Sequence, residues 1–151
     1  MSLKVAFQMD PMEGLSFAGD SSFALMLSAQ ARGHTVYHFT PEDLNYADGN
    51  VWANARPITV QRVAGNEFCY GDPLRLDLAA DVDVVWMRQD PPFDLGYITA
   101  THILERLEGR TLVVNNPVSV RNAPEKLFVL DYAQFMPPTL ITRSLNEVRA
   151  F

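Results

Sequence analysis

The 151-residue sequence predicts an α/β fold: an open, mostly parallel sheet with helices on both faces and an antiparallel β excursion at residues 44–71. Three observations point there. The first forty residues read strand, helix, strand, which is a βαβ unit with a right-handed crossover. The run Val84-Val85-Trp86-Met87 has almost no polar alternation, as a parallel strand covered on both faces requires. Between these lies a stretch of period two punctuated by turn residues, the pattern of antiparallel hairpins.

In chain order, Leu3 to Met9 is a short apolar strand ending in Asp10-Pro11. Asp20 is placed as an N-cap, with Ser21 and Ser22 in the first turn of a helix whose apolar residues recur at three- and four-residue steps. Gly33 stands where a C′ glycine closes that helix, and His34 to Phe39 is the second strand. Asp48-Gly49 signals a hairpin turn; Val51–Ala53 and Ile58–Gln61 then alternate as two exposed antiparallel strands, and Gly65-Asn66 turns into Glu67–Tyr70. After the strand at Asp83–Met87, Asp94 caps a helix through Glu108, closed by Gly109. Thr111–Val114 is a fourth core strand, followed by short helices after Pro117 and after Pro124, a residue suited to a first helical position. Thr139–Thr142 reads as a strand. Ser144 and Glu147 then fit a capping box, yet the chain stops at Phe151, fewer than two turns later, so the chain is expected to be the front part of a longer protein.

The totals bound the function. The formal charge is −6 with no Lys/Arg run, which argues against nucleic acid. No apolar run reaches the ~20 residues of a membrane helix, and the N-terminus lacks a signal-peptide pattern. Cys69 is the single cysteine, so no internal disulfide can form and a cytoplasmic setting is expected. No G-x-G-x-x-G, Walker or G-x-S-x-G motif occurs, and His34 and His38 have no third metal ligand nearby.

In open α/β sheets, ligands bind outside the carboxyl ends of the parallel strands. Three core strands end there in polar groups: Asp10, Arg88-Gln89-Asp90, and Asn115-Asn116. The first helix also starts at that edge, with its free N–H groups and positive dipole end near Ser21 and Ser22. An arginine at a strand tip offers a fixed fork for a carboxylate or phosphate, and Pro91-Pro92 stiffens the turn behind it. Each feature also has a plain reading: Arg88 paired with Asp90 or Asp10, Asp10 shaping a turn, the serines improving a cap, the asparagines capping a helix. Residue by residue the plain reading leads or stands level, and only their convergence at one edge raises the binding-site reading.

The stretches MDP at 9–11, DSSFALMLSAQARG at 20–33, MRQDPPFD at 87–94, ATHILER at 100–106, VVNNPVSVRNAPEKLF at 113–128 and PPTLITRS at 137–144 resemble the bacterial glutathione synthetases from end to end of the chain. The resemblance implies a Rossmann-like (pre-ATP-grasp) N-terminal domain at 1–122 and the beginning of an ATP-grasp domain at 123–151, the remainder being absent. It implies an ATP-dependent ligase that joins γ-glutamylcysteine to glycine with Mg2+, typically as a tetramer. It places Lys126 at ATP, and Arg88, with Asp10, Ser21 and Asp90 as neighbours, on the γ-glutamylcysteine side. No catalytic residue or metal ligand is expected in the 151 residues, nor ATP or Mg2+ bound to them alone, because the family's grasp loop, second ATP lysine and acidic metal ligands lie beyond. The isolated chain is therefore expected to be inactive. The alternatives are a flavodoxin-like module that binds a small anion, or a related ATP-grasp ligase with another acceptor.

Overall fold

The structure, a computed structural model, describes the backbone of residues 1–151 and every side chain except those of Glu125 and Lys126. The chain divides into two compact units, Met1–Arg121 and Asn122–Phe151.

The first unit is built on an eight-stranded sheet: β1 (Lys4–Gln8), β2 (Thr35–Phe39), β3 (Leu44–Ala47), β4 (Asn50–Val60), β5 (Phe68–Tyr70), β6 (Leu74–Asp77), β7 (Val84–Met87) and β8 (Leu112–Val114). The parallel part runs β2-β1-β7-β8, with Val5 opposite both Val36 and Val84. Helix α1 (Ser21–Ala31) covers one face and α2 (Leu95–Glu105) the other. The alternation of β1 shows this directly. Val5 and Phe7 pack with Phe23 and Met26 of α1, whereas Ala6 belongs to the core that holds Ala100 and Leu104 of α2. Each fully buried side chain such as Phe7, Phe23 or Leu104 contributes about 1.5–3 kcal/mol of transfer free energy.

Both helices start as the sequence predicts. The Asp20 carboxylate accepts the Phe23 N–H at 2.6 Å, and that of Asp94 accepts the Tyr97 N–H at 3.0 Å. Gly33 has φ +76° after α1. Asp48 and Gly49 have φ +50° and +83°, the double left-handed turn that matches a twisted hairpin.

The excursion differs from expectation in three ways. The two predicted strands are one, β4, which continues through Pro57; this residue has no N–H to donate, but its carbonyl accepts from Gly71 at 2.8 Å. The excursion extends beyond residue 71, because Leu74–Asp77 forms β6 against Trp52–Ala55. And it is only half exposed: Val51, Ala53 and Ala55 enter the α2-side core and Ile58 and Val60 the α1-side core, the alternation shifting at Pro57. β4 takes β2 and β3 along one edge and β6 and β5 along the other.

Helix α2 ends at Glu105 rather than Glu108, the chain passing through turns to Gly109 at φ +75°. Helix α3 (Pro117–Asn122) starts on proline, and its register is held by the Asn116 Oδ1, which accepts the Ser119 N–H at 2.9 Å.

In the second unit, α4 (Glu125–Phe128) leads into 3-10 turns over Val129–Phe135, and α5 (Leu145–Ala150) closes the chain. Pro124 is the N-cap of α4, not its first helical residue. The strand expected at Thr139–Thr142 does not form: no strand lies beside it among the described residues, and the Thr139 hydroxyl turns back to the Pro137 carbonyl at 2.8 Å. The capping box is half made. Ser144 accepts from the Glu147 N–H, but its own N–H goes to Thr142 Oγ1 at 3.0 Å, which leaves the glutamate no partner there. Leu127, Phe135, Ile141, Leu145, Val148 and Phe151 are exposed in this unit.

Candidate functional site at the carboxyl edge of the parallel strands

The parallel register brings the ends of β1 and β7 side by side, since Gln8 lies opposite Met87 and the Arg88 N–H donates to the Gln8 carbonyl at 2.7 Å. Asp10 therefore emerges beside Arg88-Gln89-Asp90, about eighty residues away in sequence. The Asp10 carboxylate accepts the Asp90 N–H at 2.6 Å and ties the two strand tips together. A charged acceptor at this distance contributes more than a neutral one, about 1.5–3 kcal/mol before solvent exposure reduces it.

Arg88 makes no ion pair with Asp10 or Asp90 among the described residues. Its Nε donates to Ser22 Oγ at 3.0 Å and its Nη2 to Ser21 Oγ at 2.7 Å. The serines at the head of α1 do more than improve the cap: they fix one side of the guanidinium with neutral acceptors. The positive charge is oriented without being neutralised, which leaves it available to an anion. The structure thus brings Arg88, Ser21, Asp10 and Asp90 to one edge. Asn116 does not join them, since its oxygen caps α3. The side chain of Lys126 lies outside the described residues.

Two groups in this region carry no signal in the sequence. Tyr97, in the first turn of α2, has its hydroxyl pushed above its ordinary pKa by burial; the Arg88 charge opposes the shift, and Asp90 and Asp10 reinforce it. Those causes place Tyr97 within electrostatic reach of all three. His38, at the tip of β2, has its Nε2 3.2 Å from the Asp10 carbonyl and its Nδ1 2.8 Å from the Tyr70 hydroxyl. A carbonyl can only accept, so the proton sits on Nε2 and Tyr70 donates to Nδ1. Burial holds the His38 pKa below its ordinary value, and burial pushes that of Tyr70 up to about 12. The neutral pair anchors the Asp10 backbone to the excursion.

A cavity of about 520 Å³ opens beside these groups, bordered by Asp10, Glu42, Gln89, Asp90, Pro92 and Tyr97 among others. No Lys, Arg or His borders it among the described residues. A second cavity, of about 330 Å³, runs beside β8 between α2 and α3 and includes, of the strand-end residues singled out in the sequence, Asn116 alone. Among the described residues no three His, Cys, Asp or Glu side chains are grouped to hold a metal ion, and no helix is long and apolar enough to cross a membrane.

Comparison with known proteins gives this edge its context. Residues 3–121 match the family model described as prokaryotic glutathione synthetase, N-terminal domain. The chain belongs to the prokaryotic glutathione synthetase family. It is 55% identical over all 151 residues to the glutathione synthetase of Rhodopseudomonas palustris, covering 48% of that protein. It is 53% identical to that of Bradyrhizobium diazoefficiens over the same span, again 48% of the relative. With the glutathione synthetase of Escherichia coli O157:H7 it shares 40% identity over 99% of the chain and 47% of the relative. The chain thus spans about half the length of the curated relatives it matches. It is the N-terminal part of a glutathione synthetase family member.

Proposed function

We propose that the complete protein is a glutathione synthetase. In that reaction the γ-phosphoryl group of ATP passes to the cysteinyl carboxylate of γ-glutamylcysteine. The glycine amine then attacks the resulting acyl carbon, the C–N bond forms, phosphate leaves, and the amine loses its proton. The observation that carries this reading is the 55% identity over all 151 residues to a protein of that name. When bound, Mg2+ offsets the negative charge on the transferring phosphate. In this reading the metal ligands belong to the ATP-grasp portion that the family resemblance implies.

On this reading residues 1–122 are the substrate-side domain and 123–151 begin the ATP-grasp domain. Arg88 binds a carboxylate of γ-glutamylcysteine, steadied by Ser21, while Asp10 and Asp90 hold the strand tips in register. Lys126 serves ATP. The exposed apolar side chains of the second unit are covered by the rest of the ATP-grasp domain, which would otherwise leave a large patch in water. The enzyme acts in the cytoplasm, as a tetramer, on small-molecule substrates.

The test is the full-length protein supplied with ATP, Mg2+, γ-glutamylcysteine and glycine. Equal yields of glutathione, ADP and phosphate are expected, and no turnover from residues 1–151 alone. ADP release that is indifferent to glycine but responds to another amine would replace this reading with that of a ligase of different acceptor.

A further inference from the structure

Gln8 is the last residue of β1 and is completely buried. A carboxamide in that position brings two N–H groups and an oxygen into a core that offers little to bond with. Its Nε2 donates to the Oε1 of Gln89, but its own Oε1 has no hydrogen-bond partner. An orphaned buried oxygen costs stability, and a leucine would avoid the cost, so packing alone gives no reason for glutamine here. The reason lies across the seam, two residues beyond its register partner Met87. Gln89 is half-buried and borders the 520 Å³ cavity, and its Oε1 is already taken by Gln8. Its Nε2 has no hydrogen bond among the described residues and is the end left to donate.

The surroundings agree with that orientation. Asp10, Glu42, Asp90 and Asp94 border the same cavity, and their negative potential favours an amide that turns its N–H₂ toward them and its oxygen away. A ligand oxygen entering this acidic cavity would be repelled by every carboxylate in it. Gln89 supplies a neutral donor that can receive such an oxygen without cancelling the field that suits a nearby ammonium group.

We propose that Gln89 is a specificity-determining residue that donates a hydrogen bond from Nε2 to an oxygen of the amino-acid substrate, and that Gln8 is its positioning residue. This rests on the glutathione synthetase reading, from which it takes the substrate γ-glutamylcysteine.

The test uses the full-length protein with two substitutions, Gln89→Glu and Gln8→Leu, read by steady-state kinetics, calorimetric binding of γ-glutamylcysteine, and thermal unfolding. Gln89→Glu keeps the oxygen that Gln8 holds and replaces the donor by a fifth carboxylate. A rise of roughly 10-fold or more in the KM and Kd for γ-glutamylcysteine is expected, with the KM for ATP and for glycine unchanged. Gln8→Leu should raise the same two constants several-fold while Tm stays level or increases, because an orphaned polar group has been removed. A merely structural Gln8 would move Tm without moving KM, and that result overturns its positioning role. Unchanged or tighter dipeptide binding in Gln89→Glu overturns the donor role. If the wild-type protein binds γ-glutamylcysteine, and the variants weaken it as stated, but glycine is not joined, the ligase reading fails and this assignment stands. If the wild type does not bind the dipeptide, both fall.

Discussion

Replacing Tyr70 with phenylalanine tests the anchor beneath the site, and its effect should be larger near pH 8 than on the alkaline limb. The change removes one oxygen and keeps the ring against Phe68 and under Arg56. The lost bond is the 2.8 Å donation to His38 Nδ1, which then lies buried with no partner. Leaving a buried acceptor unsatisfied costs about 1–3 kcal/mol. For a chain of this length that corresponds to a fall in Tm of roughly 2–12 °C near pH 8. The alkaline limb behaves differently. Folding raises the Tyr70 pKa from 10.0 to about 12, so the folded state keeps a proton that the unfolded state releases. That contribution is whole below pH 10 and is lost as pH rises from 10 toward 12. Two pKa units would be near 2.7 kcal/mol, but the side chain is only about half buried, and screening reduces this to about 1 kcal/mol. Phenylalanine cannot titrate, so the gap between wild type and variant must narrow above pH 10. Thermal unfolding followed by circular dichroism from pH 8 to 11 measures both effects. A gap that stays constant over that range, or no gap at pH 8, refutes the buried Tyr70–His38 pair as described.

Arg88→Lys keeps the charge but loses the fork that Ser21 and Ser22 orient; a KM increase for γ-glutamylcysteine of roughly 10- to 100-fold, with Tm lowered by only a few degrees, is expected in steady-state and melting assays of the full-length protein. A Tm change with unaltered KM would make the arginine structural. Asp20→Ala and Asp94→Ala each remove an N-cap and should cost about 0.5–2 kcal/mol by urea titration, with near-additive effects in the double variant because they cap helices on opposite faces. Leu104→Ala opens a cavity in the α2 core and should cost about 2–5 kcal/mol; less than 1 kcal/mol would mean that the core collapses to fill it. On acidification, His38 withdraws stability as pH falls through 6.5, because its folded-state pKa lies below the unfolded value and the neutral ring is the buried form. His38→Gln should flatten that limb of the stability profile.

What could be read from the residues was local or periodic. Asp20 and Asp94 announce helix starts because a cap acts over three residues, and Asp48-Gly49 announces a hairpin because two left-handed residues suffice. The strand tips are legible because parallel strands end at a common edge, which sets Arg88 beside Asp10. Groups that depend on pairing far along the chain stayed hidden. Nothing near Gln8 in sequence indicates that its amide meets Gln89, and nothing near His38 points to Tyr70. β6 carries no strand signal because four residues after Asp72-Pro73 alternate too briefly to stand out; β4 supplies the edge that makes them a strand. The reverse error arose at Thr139–Thr142, where strand-like residues have no edge to join.

The way β4 is shared has a kinetic consequence. Its partners lie between residues 37 and 77, so the antiparallel block closes through short loops. The β1–β7 pairing must instead close a loop of nearly eighty residues, and β8 can dock only after β7 is in place. Loop closure and contact order therefore predict a sequence of events in which the excursion forms early and serves as the template for β2, while the parallel seam zips late. The pocket between Asp10 and Asp90 exists only once that seam has closed. During refolding the surroundings of Tyr97 at that pocket should therefore recover later than the strand signal, which would make the candidate site the last part of this unit to mature.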